Sequence, residues 1–339
     1  MNRKKQRIRL TSAELANLWT QYINDTMSIC VIRYFLKTVK DKDTKDILKY
    51  SLNLAESHVS QIKTYYKQEN YPIPVGFTKD DVNYDAPPLF SDTFVLVYMH
   101  IMTLHGLTGY AGAVGTSTRE DQVDYFIQCN TDTMKLYKMI IKVMLDKGII
   151  TKPPTFHPDE KVDFVKEQRF LNGWFGGKRP LSAIELSGLY YNLQKNIVKI
   201  VLEIGFSQVV QSKQIRKYIQ RGEKICDKQF NLLASILSES NLPYPQKWDS
   251  EVTKSTQSPF SDKLLLFHIV TLISAASGYY GAALAVSQRR DLALKYEKLI
   301  IDIMKYAEDG INIMIEQGWF EQPPLAADRN ALAEKGAEE

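Results

Sequence analysis

The amino-acid sequence predicts an all-α protein built from two tandem copies of one four-helix bundle. Three observations predict it. Residues Leu10 to Pro154 recur in order as Leu181 to Pro324, at an offset near 170 residues. Leu10-Thr-Ser-Ala-Glu-Leu15 answers Leu181-Ser-Ala-Ile-Glu-Leu186, Phe90-Ser-Asp92 answers Phe260-Ser-Asp262, and Gly109-Tyr-Ala-Gly-Ala113 is aligned with Gly278-Tyr-Tyr-Gly-Ala282. Chance similarity does not hold its order over such a length, so the chain is an internal duplication. Each copy also carries four apolar stripes at helical spacing, with start and stop signals around them. Finally, 339 residues exceed what one core usually fills, whereas a copy of about 145 residues can bury its own.

Taken in order, residues 1–9 form a basic arm (Arg3, Lys4, Lys5, Arg7, Arg9) expected to be disordered. Copy one spans 10–151. Thr11-x-x-Glu14 is a capping box opening the first helix, whose apolar face runs through Leu15, Leu18, Trp19, Tyr22, Ile29 and Ile32. After the polar break Lys40 to Thr44, a second helix keeps Leu48, Leu52, Ala55, Val59, Ile62 and Tyr66 in phase. A long proline-bearing connection, Tyr71 to Pro88, is too long for a hairpin. It suits a chain crossing the full length of a bundle, so that the second and third helices run parallel. Ser91-Asp92 caps the third helix, where Gly106, Gly109, Gly112 and Gly115 suggest close approach of a neighbouring backbone. The fourth helix follows Ser117 to Asp121 and ends at Gly148, with Pro153 and Pro154 blocking continuation.

Copy two, 181–325, repeats the plan: Ser182-x-x-Glu185, Ser212, the connection Leu242 to Pro259, Ser261-Asp262, Gly278 and Gly281, and Gly318 before Pro323-Pro324. Between the copies, 152–180 holds Phe156, Val162, Phe164, Phe170, Leu171, Trp174 and Phe175, an apolar connector expected to pack between the bundles. Residues 326–339 are small and polar, expected to be a disordered tail.

The balance of 43 basic and 39 acidic residues, +4 net, argues against a nucleic-acid or anionic-membrane partner. Cys30, Cys129 and Cys226 are scattered and odd in number, which fits a reducing, cytoplasmic setting and no disulfide framework or zinc site. No secretory signal is evident at the start. Leu264 to Ser287 has no charged residue and is long enough to cross a bilayer, but its counterpart from Phe94 to Thr116 contains His100 and His105, so a buried bundle helix explains both.

Tandem bundles with long crossovers resemble the ferritin-like superfamily. More specifically, the paired FSD and GYxG elements, the junction Arg169 to Leu181, and the segment Lys305 to Pro324 resemble the domain of unknown function 3231 family of spore-forming bacteria. The resemblance implies a duplicated ferritin-like fold and, through a more distant similarity to spore coat protein F, an association with the spore. It implies no characterised activity.

Ferritin-like oxidases hold two irons with Glu-x-x-His on each of two helices and a carboxylate from each of two others. Glu-x-x-His does not occur in this chain. What remains is Asp25 on the first helix, His58 on the second and His100 on the third, a candidate single site for iron or manganese in copy one. Copy two has Asn196 and Gln229 in place of Asp25 and His58, which reads more simply as a buried polar pair kept in both copies. His105 reads as a satisfied core or helix-edge histidine, and Arg119 with Asp121, matched by Arg289 with Asp291, as ion pairs or a weak anion site. Catalytic fingerprints (GxSxG, a Walker loop, a dinucleotide motif, HExxH) are lacking. The expectation is a non-enzymatic structural or interaction protein with no cofactor, acting through a protein partner or self-association. The alternatives are a metal-binding or redox member using Asp25, His58 and His100, and a bundle holding a small apolar ligand beneath the third helices.

Overall fold

The Thr11 hydroxyl accepts the Glu14 N–H while the Glu14 carboxylate accepts the Thr11 N–H, at 3.2 and 2.7 Å. This capping box opens the first helix of a computed structural model describing residues 8–157, 161–173 and 178–338. Copy one comprises α1 (Ser12–Thr38), α2 (Lys42–Glu69), α3 (Asp92–Thr116) and α4 (Glu120–Asp146). Copy two repeats them as α5 (Ala183–Val209), α6 (Lys213–Ser238), α7 (Asp262–Val286) and α8 (Arg290–Glu316). The described residues are therefore all-α, arranged as two tandem four-helix bundles.

Contacts at the bundle ends set the helix directions. At one end, Asp92 at the start of α3 accepts the N–H groups of Lys40 and Asp41 between α1 and α2, at 2.9 and 2.7 Å, and Asp41 pairs with Lys147 just past α4 at 2.8 Å. At the other, Glu14 of α1 accepts from the backbone of Thr118 and Arg119 before α4, and Arg119 pairs with Glu69 at the end of α2. Hence α2 and α3 run parallel, and the connection between them spans the bundle. In copy two Asp262 accepts from Gln211 and Ser212 N–H, and Glu185 from Arg289 N–H, at the corresponding ends.

The crossovers lock the copies together. Asn83 N–H bonds Pro259 C=O and Ser261 N–H bonds Asp81 C=O; in pseudo-symmetric exchange, Ser91 N–H bonds Glu251 C=O and Thr253 N–H bonds Leu89 C=O. The cap serines join in, Ser261 donating to the Asp81 carboxylate and Ser91 to that of Glu251. Tyr34, Phe206 and Phe260 fill the seam beneath, and α3 packs on α5. α7 is long and apolar enough to cross a membrane, and it packs against α5, α6 and α8.

Several expectations are corrected. The connector does not pack throughout: Val162, Phe164 and Val165 are 87%, 78% and 61% exposed. They alternate with Lys161, Asp163, Lys166 and Glu167, whose charges keep an irregular backbone in water. Among the described residues, its start borders α4 and α5 through Pro153 and Pro154 and its end turns inward, where the Arg179 guanidinium lies 4.0 Å from the centre of the Phe170 ring. Trp174 and Phe175 lie outside the described residues, as does the arm up to residue 7. The carboxy-terminal segment contains a helix, α9 (Arg329–Glu338), because Asp328 caps it and alanine favours helix. A Cβ at Gly109, Gly112, Gly115, Gly278 or Gly281 would meet nothing within 4 Å, so no backbone crowds these glycines. The tight glycines lie elsewhere: Gly76 against Thr26 in copy one, Gly173 against Asp291 in the connector, and in copy two Gly205 against Phe90, Gly222 against Glu203 and Tyr306, and Gly310 against Tyr218. α3 and α7 have equal length, which aligns Tyr110 with Tyr280 rather than Tyr279.

Candidate functional site in the first bundle

Asp25 and His58 face each other across α1 and α2, with His58 Nδ1 3.2 Å from Asp25 Oδ2, both nearly buried. Burial opposes charge on the imidazole and is the largest single influence, but the hydrogen bonds and charge interactions with Asp25 and Cys129 together outweigh it and lift the His58 pKa from 6.5 to about 10. The result is a compensated imidazolium–carboxylate pair. Tyr110 of α3 comes to 3.4 Å of His58 Nδ1, and Gln21 links Tyr110 to Tyr125 of α4, accepting from Tyr125 at 3.1 Å. The four helices thus contribute to one polar cluster.

The second bundle holds its counterpart at the same place. Asn196 donates to Tyr280 Oη at 2.9 Å, and Tyr280 donates to Gln229 at 2.9 Å. The amide pair read from the sequence is therefore a real contact through tyrosine. His100 belongs to neither cluster. Its ring stacks on Tyr137, 5.8 Å centre to centre, in a separate cavity with Pro154 and Tyr191, and burial holds its pKa down near 4. The triad of Asp25, His58 and His100 does not assemble: position 100 lies on the outer side of α3, facing α5 and the connector.

Among the described residues, no three His, Cys, Asp or Glu side chains converge. A pair of irons requires several carboxylates to balance its charge. The first interior offers Asp25, already engaged by His58, and the second offers Glu203, already neutralised by Lys199 at 2.5 Å. These residues do not fit a two-iron centre.

The anion site suspected at the starts of α4 and α8 is filled by the protein itself. Glu14 Oε1 accepts from Thr118 and Arg119 N–H, each at 2.8 Å, and Glu185 Oε1 accepts from Arg289 N–H at 3.0 Å. Burial works against these carboxylates, yet the donors around them hold both pKa values near 2, below the usual 4.5.

The interiors differ most in how they are filled. The first bundle holds a cavity of about 510 Å³, partly open to solvent, reaching from Asp25 and His58, past α3, to α7. The second retains about 10 Å³. All seven residues around that remnant have their counterparts in the wall of the large cavity; Lys195, Asn196 and Lys199 match Asn24, Asp25 and Ser28. The difference lies in the side chains. Where copy one has Ser28, Ile32, Ser51, Ala55 and Leu136, copy two has Lys199, Glu203, Gly222, Cys226 and Tyr306. Lys199 pairs with Glu203, and Tyr306 stacks on Tyr218 at 4.3 Å and bonds Glu203 at 3.4 Å, so ion pair and aromatic stack occupy the space. Gly222 makes room for both.

At the α7 end of the cavity, two nitrogens have no partner: His105 Nε2 and His268 Nδ1. His105 is thus not the satisfied histidine its sequence context suggested. Its ring stacks on Tyr279 at 5.3 Å, and burial keeps it uncharged.

No functionally curated protein matches the chain. Among solved structures, it is similar to a protein from Bacillus halodurans C-125 titled "a putative spore coat protein", at 21% identity over 45% of this chain and 98% of that one, with a TM-score of 0.40. It is also similar to a protein from Anabaena variabilis ATCC 29413 with DJ-1/ThiJ/PfpI-like and ferritin-like domains, at 13% identity over 57% of this chain and 53% of that one, with a TM-score of 0.33. The family model described as "Protein of unknown function (DUF3231)" matches twice, at residues 1–162 and 169–332, in step with the two bundles, and to that family the chain belongs.

Proposed function

We propose that this is a non-enzymatic binding protein whose first bundle holds a small molecule and whose second bundle is a filled support. The observation that carries this reading is the contrast between a cavity of about 510 Å³ and one of about 10 Å³ at equivalent places in two copies of one fold. Ligand sites fall in the range of roughly 300–1,000 Å³. Copy two demonstrates that the fold can close the space with its own side chains, so an open interior in copy one is a feature of that copy's sequence. A resident metal is the weaker reading, because His100 is turned away from Asp25 and His58. Association with the spore is the setting the family resemblance implies, and the binding reading does not depend on it.

Titration with the uncharged dye Nile red tests it. Saturable binding at one site per chain is expected, and loss of that binding in Ala55→Phe, which projects a ring into the cavity. Absence of saturable binding, or binding unchanged by the substitution, overturns the reading. Iron or manganese at one per chain in freshly purified protein, lost in His58→Ala, would favour the metal instead.

A further inference from the structure

Resting on that reading, we infer that the cavity selects an uncharged, largely apolar molecule carrying a hydroxyl, which it donates to the free carboxylate oxygen of Asp25. One oxygen of that carboxylate, Oδ2, is taken by His58 at 3.2 Å. The other, Oδ1, meets no donor among the described residues, and it is not sealed in as the unpartnered His105 and His268 nitrogens are. The Asp25 side chain keeps 12% of its surface accessible and stands on the cavity wall. A carboxylate only accepts, so what this oxygen lacks is a donor.

The second bundle shows which group completes this position. There the Tyr280 hydroxyl stands between Asn196 and Gln229, 2.9 Å from each, so a hydroxyl of the protein fills the polar pair. The equivalent Tyr110 reaches His58 Nδ1 and Gln21, each at 3.4 Å, and makes no bond to Asp25. A ligand hydroxyl at Asp25 does in copy one what Tyr280 does in copy two. The rest of the molecule is set by the wall, which contains no Lys, Arg or Glu and whose one carboxylate is already balanced by His58. A second cation would meet the imidazolium, and an anion the carboxylate, in a space that solvates charge poorly. Met27, Leu54, Met99, Met102, Leu136 and Leu272 supply apolar surface, and methionine adapts to varied shapes.

Four probes test the inference by isothermal titration calorimetry at neutral pH: 1-decanol, its isomer 1-methoxynonane, decanoate and decylammonium. The ether keeps the oxygen as an acceptor but has no hydrogen to donate. Decanol is expected to bind at least about tenfold more tightly than the ether or either ion, because a hydrogen bond to an ionised acceptor is among the stronger ones. In Asp25→Leu with His58→Leu, which removes both charges together, decanol is expected to fall to the level of the ether. If the ether or an ion binds as well as decanol, or if the variant keeps the preference, the ligand class is wrong though the cavity still takes up Nile red. If the variant weakens decanol and ether alike, the pair only shapes the cavity and the assignment fails. If Nile red itself does not bind the native chain, the broader reading fails first. Should the leucine variant not fold, Asp25→Asn with His58→Gln serves: an amide accepts less strongly than a carboxylate, and the preference for alcohol over ether should narrow at least about threefold. An unchanged preference would equally count against Asp25.

Discussion

His58 and Asp25 make stability depend on pH in a way copy two cannot. A group whose pKa rises on folding, here from 6.5 to about 10, contributes fully below pH 6.5 and loses that contribution as pH climbs through 10. The double variant Asp25→Asn with His58→Gln, which copies the amides of the second bundle, is expected to fold and to flatten the decline in urea midpoint between those values. His100 and His268 act in the opposite sense. Burial lowers them to about 4, so the unfolded chain takes up their protons first and stability falls as pH drops from 6.5 towards 4. Glu185 adds to the acid side, its contribution being present above pH 4.5 and lost towards 2. It caps α5, ties Arg179 in a fork at 2.8 Å and closes the start of α8. Glu185→Gln is expected to cost about 2–3 kcal/mol at neutral pH, measured by chemical denaturation, since charge-assisted bonds to buried partners are lost.

At the scale of helices, most boundaries were legible because caps are local. The Thr11 and Ser182 boxes, Ser91, Ser212 and Ser261 all cap as their sequence suggests, and Gly148 and Gly318 take φ near +66° and +68° past the ends of α4 and α8. The starts of α4 and α8 were legible to within two residues, but their caps were not, because each comes from a carboxylate over a hundred residues earlier. Glycine illustrates the same divide. The run in α3 looked like a packing seam, yet Gly109, Gly112 and Gly115 are open and only Gly106 meets a neighbour, the side chain of Thr133, whereas Gly222 drew no notice and is crowded. Gly112→Ala is accordingly expected to stabilise by up to about 1 kcal/mol through helix propensity. Gly222→Ala, forced against Glu203 and Tyr306, should cost about 1–3 kcal/mol. Thermal unfolding of the two variants checks both signs.

In the whole molecule, the copies are coupled through the exchanged contacts of Ser91 with Glu251 and Ser261 with Asp81. Each crossover completes its partner bundle's cap, so the chain should unfold as one unit. Far-UV circular dichroism and tryptophan fluorescence are expected to report coincident urea transitions in the native chain. They should separate in Asp81→Ala with Glu251→Ala, where the bundles are released from one another.

The sequence alone determined the duplication, the helical class, the long crossovers and the polar pair at Asp25 and His58 with its amide counterpart. These follow from order, periodicity and matched positions, which are properties of a chain read end to end. The cavity was half legible: aligning the copies sets Ser28 against Lys199, Ile32 against Glu203 and Leu136 against Tyr306, but not that these positions converge on one volume. Only the tertiary structure decided that convergence, the turning of His100 away from Asp25, and the unpaired nitrogens of His105 and His268. Each depends on which faces of distant helices meet and how much space their side chains leave, and no local rule of spacing contains that information.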